Sequence, residues 1–173
     1  MTPEFARRVA LDAIGAGGHA IGVEANADER AALALRFGWL GITRLVATAR
    51  LLARAGGVDA LGRFEATIER ACVASGEPVH ETVEEAFGIH FVPLALVAET
   101  ATDEIELNED ALDIIEFEGA AIDIGEAVAQ SLALAVDPFP RSPAADAKLR
   151  AAGVIGEGEE PGAFAGLKDL LKR

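Results

Sequence analysis

The chain has 173 residues, of which 15 are Lys or Arg and 29 are Asp or Glu, giving a formal net charge of −14 at pH 7. One domain of this length can bury roughly 70% of its unfolded surface, and the one cysteine excludes an internal disulfide. The acidity argues against wide contact with nucleic-acid phosphates. The sequence contains no run of about 18 apolar residues, the length that would indicate a membrane span. The chain begins MTPEF, without a basic region and an apolar run, so we expect no signal peptide and a cytoplasmic address.

The excess of acidic residues is confined to the middle of the chain. Residues 71–140 contain 16 Asp and Glu but no Lys or Arg, whereas residues 1–70 and 141–173 are each close to neutral. Such a stretch is typical of a solvated, solubilising face. It also suits a surface that attracts a basic partner, and the sequence leaves both interpretations open.

Two short strands are predicted near the N-terminus. Apolar and polar residues alternate over 5–11, and a second apolar run covers 21–25. Gly15, Gly17 and Gly18 lie between the two runs. We interpret this glycine-rich segment as a hairpin turn.

A short helix is predicted over 27–36, where helix formers dominate. Asn26 and Glu29 have the spacing of a capping box at its start. Gly38 follows as the residue that ends it.

Three consecutive antiparallel strands form the centre of the predicted fold. Residues 41–54 fit both a helix and a strand, but a Gly-Gly turn and clean alternation over 58–69 favour a long hairpin. A third alternating run, 79–92, ends before Pro93.

The second half of the acidic stretch is less regular. Residues 99–110 hold six acids and only two strong apolar residues, which predicts a surface loop or an edge. Two more short strands are expected over 112–117 and 121–124.

A second principal helix is expected over 125–136, because Asp123 and Glu126 have capping-box spacing and apolar residues follow on one face. The predicted fold class is α+β, with a mainly antiparallel, twisted sheet or open barrel of about six or seven strands, two principal helices and a short C-terminal helix. The expected organisation is a single domain, a Pro/Gly/Glu-rich linker and an amphipathic helix, at 1–140, 141–162 and 163–173 respectively.

Cys72, His80 and His90 are the nearest approach to a set of metal ligands. Zinc normally takes four ligands, and the paired spacing of a zinc site is absent here. The favoured interpretation is a half-buried cysteine and solvent-facing histidines. We therefore expect no metal and no cofactor.

Nothing in the sequence indicates an enzyme. None of the serines stands in a nucleophile elbow or a triad-like setting. The GAGG segment lacks the Lys and the Ser or Thr of a phosphate-binding loop. A small hydrolase is accordingly the least supported alternative, and no small-molecule substrate is expected.

Two blocks of the sequence resemble the YceD family of large ribosomal RNA subunit accumulation proteins, in its alphaproteobacterial form. They are residues 63–93 and 121–141, and the ending PGAFAGLKDLLKR follows them. The most specific positions within these blocks are Cys72, Pro78, Asp123, Gly125, Glu126, Pro138 and Pro140.

The resemblance implies a factor that supports accumulation of large-subunit ribosomal RNA and carries no catalytic residues. Many members of the family have a C-x-x-C in the first block, whereas this chain has Ser75 at the second position. A metal or redox role at that place is therefore not expected.

Two modes of action are compatible with these observations. In the favoured hypothesis, the protein binds a basic ribosomal protein through acidic residues, chiefly Glu99, Asp103, Glu104, Glu106, Glu109 and Asp110. In the alternative, precursor ribosomal RNA is contacted directly by cations of the central hairpin, namely Arg44, Arg50, Arg54 and Arg63.

Overall fold

The computed structural model describes residues 3–95 and 112–154. Its strands are β1 (Arg8–Ala10), β2 (His19–Glu24), β3 (Gly41–Arg54), β4 (Gly57–Ala71), β5 (Pro78–Pro93), β6 (Asp113–Phe117) and β7 (Ala121–Asp123). Its α-helices are α1 (Ala27–Phe37), α2 (Ile124–Ala135) and α3 (Ala145–Ala151). Within the described ranges, no helix has the length and apolar character needed to cross a membrane.

The strands form two sheets, and the α+β class predicted from the sequence is confirmed. Five strands lie in the order β2-β3-β4-β5-β6, and β1 pairs antiparallel with β7 in a separate two-stranded sheet. The β2–β3 and β3–β4 pairs are antiparallel, whereas β6 runs parallel to β5. The described strands of the large sheet do not close into a barrel, so β2 and β6 are its edges.

The predicted hairpin at 41–69 is confirmed, and its inner face shows why the strands pair in this register. Large residues stand opposite small ones across β3 and β4: Leu45 faces Ala66, and Phe64 faces Ala47. All four side chains are buried in the core. Large side chains on one strand therefore pack beside small ones on the other.

An irregularity in β3 explains why this segment also fits a helix. The register shifts between Ile42 and Arg44, as a β-bulge does when it inserts one extra residue. Ile42 and Leu45 consequently both point into the core although they are three residues apart. A spacing of three is helical in a sequence, and here a bulge produces it.

The hairpin predicted at Gly15–Gly18 is wrong. A turn does form, since Gly18 donates its N–H to the Gly15 carbonyl at 2.9 Å and has φ of 82°. The strands on its two sides do not pair with each other, however. β2 pairs with β3, and β1 pairs with β7, which lies more than 100 residues further along the chain.

The predicted helix at 27–36 is confirmed as α1. Asn26 accepts the Glu29 N–H at 3.0 Å, and the Glu29 carboxylate accepts the Asn26 N–H at 2.8 Å, which completes the capping box. Gly38 has φ of 69° and ends the helix in the left-handed conformation that glycine adopts most readily.

The chain divides into two compact units. The first, Met1–Glu69 with His80–Asp137, contains the main core, in which apolar residues of the large sheet pack with α1 and α2. The second, Arg70–Val79 with Pro138–Arg173, contains the turn before β5 and helix α3. Helix α3 falls within the predicted linker at 141–162, and the predicted helix at 163–173 lies outside the described residues.

Candidate interaction surfaces

The four arginines predicted to contact RNA lie on one face of the β3–β4 hairpin. Arg44, Arg50 and Arg54 alternate with core residues along β3, and Arg63 stands opposite Thr48 of the same outward row. The row is long, because ten residues of strand between Arg44 and Arg54 span about 33 Å. The arginines therefore share a face without forming a compact cluster.

Most of these cations already have partners. Arg44 donates from Nε to Glu65 at 2.8 Å, and Arg54 donates from Nε to Asp59 at 2.9 Å. Arg50 donates to the Gly17 carbonyl at 3.2 Å. Among the described residues, Arg63 has no ion pair or side-chain hydrogen bond. Of the four positive charges on this face, two are thus neutralised by acids, Glu65 and Asp59.

Asp59 joins this face to one of the histidines considered above. Its Oδ1 lies 2.6 Å from His90 Nδ1, while its Oδ2 accepts from Arg54. Partial burial works to raise the pKa of Asp59, but the hydrogen bonds to His90 and Arg54 outweigh it and hold the pKa below its usual value. His90 is therefore a half-buried partner of a carboxylate, and its predicted orientation toward solvent is wrong.

His80 and Cys72, the other two residues considered as metal ligands, differ from each other in solvent exposure. The His80 side chain is largely exposed and lies 3.8 Å from Glu69. Cys72 is 2% exposed and so fully buried, where half-burial was predicted. Within the part of the chain that the structure describes, no group of three or more His, Cys, Asp or Glu is placed to hold a metal ion.

Cys72 occupies a tight turn at the start of the second unit. Its N–H donates to the Glu77 carbonyl at 2.7 Å, and its Sγ accepts the backbone N–H of Ser142 at 3.2 Å. The Ser75 hydroxyl and the Ser142 N–H stabilise the thiolate and outweigh the opposing effect of burial, which lowers the pKa of Cys72 to about 6. Ser75 thus stabilises the thiolate form of Cys72.

Glu77 links the same turn to α3. Its carboxylate accepts from the Ser75 hydroxyl at 3.2 Å and forms an ion pair with Lys148. The Lys148 hydrogen bond is the main reason that the pKa of Glu77 lies below its usual value. Pro140 contributes a further tie, since its carbonyl accepts the Val73 N–H at 2.9 Å.

The D-x-G-E block begins α2 and fixes it to the N-terminal segment. Asp123 accepts the Glu126 N–H at 3.2 Å as the N-cap and the Arg7 N–H at 2.8 Å. A Cβ on Gly125 would lie 1.8 Å from the Phe5 carbonyl oxygen, so only glycine permits this close approach. The described contacts of the Glu126 carboxylate are with Arg36 and Gln130, rather than with its own helix cap.

The six acids predicted to form the partner surface, Glu99 to Asp110, lie outside the described residues. Ten other acids of the 71–140 stretch are described, and they fall into two groups of five. Glu77, Asp123 and Glu126 have defined hydrogen-bond partners, and Glu81 and Asp137 also take part in polar or electrostatic contacts. Five acids have neither an ion pair nor a side-chain hydrogen bond among the described residues: Glu84, Glu85, Asp113, Glu116 and Glu118.

These five carboxylates lie on β5, on β6 and just beyond β6, at one edge of the large sheet. Two acids of β4 contrast with them, because Asp59 and Glu65 are both paired with arginine. On β3 and β4 acids thus stand beside arginines, whereas the five carboxylates on and just beyond β5 and β6 have no such partner among the described residues.

A groove runs beside this acidic edge, between β6 and α2. It consists of three adjoining cavities of about 440, 230 and 520 Å³. Asp113, Ser131 and Leu134 line the first two cavities, and Ile115, Ala127 and Gln130 line the last two. Because neighbouring cavities share lining residues, the three lie side by side along the edge strand.

This edge was not predicted from the sequence. The segment that forms it is DIIEFE, residues 113–118, in which three acids are interspersed with three apolar residues. This pattern alone gives no indication that the strand lies at an edge, or that a helix runs beside it.

A protein-family model described as "Large ribosomal RNA subunit accumulation protein YceD" matches residues 61–171, more than half of the chain. The match begins in β4 and covers the acidic edge, α2 and the Cys72 turn. No curated protein and no solved structure matches the chain.

Proposed function

This chain belongs to the YceD family, and from that premise we propose that it supports accumulation of large-subunit ribosomal RNA by holding a basic ribosomal protein on its acidic surface. The proposed role is one of binding and not of catalysis. The observation that carries it is the uneven neutralisation of charge: two acids on β4 are paired with arginine, whereas five carboxylates on and just beyond β5 and β6 have no partner among the described residues.

Unpaired carboxylates on one edge repel one another, and a cationic partner relieves that repulsion. Acidic residues also avoid the phosphates of RNA, so the surface favours a protein that is itself rich in Lys and Arg. The predicted partner acids at 99–110 belong to the same stretch without Lys or Arg and add to its negative charge. A basic ribosomal protein held in this way is shielded until it meets its RNA site.

Affinity capture tests this proposal. Tagged full-length protein is incubated with ribosomal proteins extracted from the same cells, at low and at high salt, and the captured proteins are identified by mass spectrometry. We expect one or a few basic ribosomal proteins at low salt and their loss at high salt. If no basic ribosomal protein is enriched at low salt, the proposal is wrong.

Neutralising variants then locate the binding surface. One variant replaces the six acids from Glu99 to Asp110 by their amides, and a second carries Asp113→Asn, Glu116→Gln and Glu118→Gln. The control variant carries Asp12→Asn, Glu24→Gln and Asp28→Asn, three acids outside the 71–140 stretch with no ion pair among the described residues. Capture and large-subunit ribosomal RNA levels should fall together in the first two variants and remain unchanged in the control.

Direct RNA binding is the competing function, and the shared face of the four hairpin arginines is the observation in its favour. Replacing Arg50 and Arg54 by Ala should then weaken the binding of precursor RNA and reduce its salt dependence in a gel-shift titration. Arg8→Ala with Arg141→Ala, which removes the same charge at exposed positions outside the hairpin, is the matched control. An unchanged salt dependence in the double variant would exclude this face as the RNA site.

A further inference from the structure

We propose that the free edge of β6 binds an extended basic segment of the partner as an added strand, with its side chains beside the groove along α2. This inference rests on the proposed function and specifies how the basic partner is held. It is carried by the open edge, the groove and the charge of the residues that line them.

The edge of β6 is available for pairing. The strand hydrogen-bonds to β5 on one side, and no described strand pairs with its other side. An edge strand presents a row of backbone N–H and C=O groups that a second chain can satisfy. The five residues of β6 are enough for a short added strand.

Two apolar side chains beside the edge are exposed to solvent. Ile114 on β6 is 53% exposed, and Leu134 on α2 is 80% exposed. Both line the central cavity of about 230 Å³ together with Ile115 and Ala127. In an added strand, every second side chain would stand on the side of the sheet that faces α2. One of these side chains would cover Leu134 and remove its apolar surface from water.

Charge identifies the occupant. The groove is lined by Glu85, Asp113, Glu116 and Glu118, which have no ion pair among the described residues, and by one arginine, Arg8, so acids outnumber cations along it. A second copy of this chain would bring its own acidic edge against them and be repelled. A segment in which Lys or Arg alternates with apolar residues matches both the carboxylates and the exposed Leu134.

The test uses a fluorescent ten-residue peptide of alternating Lys and Val, with full-length protein and fluorescence anisotropy. Two isomers carry N-methyl groups, one on every Lys and the other on every Val. In an added strand only every second N–H points to the edge. We therefore expect one isomer to bind like the parent peptide and the other to lose at least tenfold in affinity.

Variants of the protein locate the peptide on the edge. Glu116→Gln with Glu118→Gln, two carboxylates on the same side of the chain, should reduce the affinity about threefold to tenfold, as expected for the loss of two exposed ion pairs. The charge-matched control, Asp12→Asn with Glu24→Gln, should leave it unchanged. Leu134→Ser should also weaken binding, and since Leu134 is 80% exposed, the substitution should not disturb folding.

The outcomes distinguish this inference from the proposed function. If both N-methylated isomers bind equally, the peptide is held by diffuse electrostatics and the added-strand mode is wrong. If basic ribosomal proteins are captured but the edge variants retain them, the site lies elsewhere while the proposed function stands. If no basic ribosomal protein is captured at low salt, the proposed function itself is wrong.

Discussion

Arg36 and Glu126 form a bidentate ion pair that joins α1 to α2. Arg36 Nη2 donates to Glu126 Oε1 at 2.7 Å, and Nη1 donates to Oε2 at 2.8 Å. Both side chains are partly shielded, with 31% and 21% of their side-chain surface exposed. The pair raises the pKa of Arg36 and lowers that of Glu126, chiefly through these hydrogen bonds.

A double-mutant cycle should detect this pair. We expect a coupling free energy of about 1 kcal/mol between Arg36→Met and Glu126→Gln, measured by urea unfolding, because the geometry is bidentate and partly shielded. The Arg44–Glu65 pair is the control: it is 50% and 39% exposed, and its second contact is 3.5 Å long. Its coupling should be about 0.3 kcal/mol or less, and equal values for both pairs would contradict the argument.

The same pair predicts a pH dependence. The folded-state pKa of Glu126 lies below its unfolded value, so its contribution is fully present above the unfolded pKa and is lost as pH falls through the folded one. The difference in unfolding free energy between wild type and Glu126→Gln should therefore be constant near neutrality and shrink below about pH 4.5. A difference that persists in strong acid would show that the carboxylate charge is not its source.

Gly125 should tolerate no side chain. A Cβ there would meet the Phe5 carbonyl oxygen at 1.8 Å, and backbone on both sides leaves little room for adjustment. We expect Gly125→Ala to lower the unfolding free energy by about 2–4 kcal/mol. Gly22→Ala is the control, because nothing lies within 4 Å of its added Cβ. Similar denaturation midpoints for the two variants would contradict the close approach.

The sequence is sufficient to predict most elements of this fold, though not helix α3, and it does not predict all of the strand pairings. The hairpin of β3 and β4 and the helix α1 follow from alternation, glycine turns and the Asn26 capping box. The pairing of β1 with β7 does not follow, because each strand has three residues and more than 100 residues separate them. The parallel pairing of β6 with β5 is equally hidden, since no hairpin turn joins them.

The candidate site shows the same division. Acidic composition predicts a negative surface, but ion pairs with arginine decide which acids contribute to it. Glu65 and Asp59 are neutralised by arginines that stand near them only in the folded sheet, whereas Asp113 and Glu116 lie on an edge strand. Local spacing assigned Glu126 to the cap of α2, and its carboxylate instead contacts Arg36, 90 residues earlier in the chain.

Asp123 should be replaceable by Asn but not by Ala. One oxygen, Oδ1, accepts both the Glu126 N–H and the Arg7 N–H. Asn retains an acceptor at this place, so Asp123→Asn should cost about 0.5 kcal/mol, whereas Asp123→Ala should cost about 2 kcal/mol through the lost cap and the unsatisfied N–H groups. Thermal unfolding of both variants checks this order, and equal losses would assign the effect to charge instead of hydrogen bonding.

The thiol of Cys72 should ionise near pH 6. Its pKa falls from the ordinary 9.0 to about 6 because the Ser75 hydroxyl, followed by the Ser142 N–H, stabilises the thiolate. Titration of the thiolate ultraviolet absorbance in the folded protein should show this midpoint. Ser75→Ala should raise it most, and Ser142→Ala should raise it less, because the Ser142 backbone donor remains. A midpoint above 8 in the wild type would contradict the network.

Linkage fixes the sign of the accompanying change in stability. The folded state binds the Cys72 proton less tightly than the unfolded state does, so the unfolding free energy should rise with pH between about 6 and 9 and lose this contribution as pH falls through 6. In Ser75→Ala the lower end of this window should move upward, because the folded-state pKa rises toward the unfolded one. Denaturant midpoints at matched pH values give the comparison. The same pH dependence in the wild type and in Ser75→Ala would indicate that a group other than Cys72 titrates. It would also show that Ser75 does not control the ionisation of the thiol.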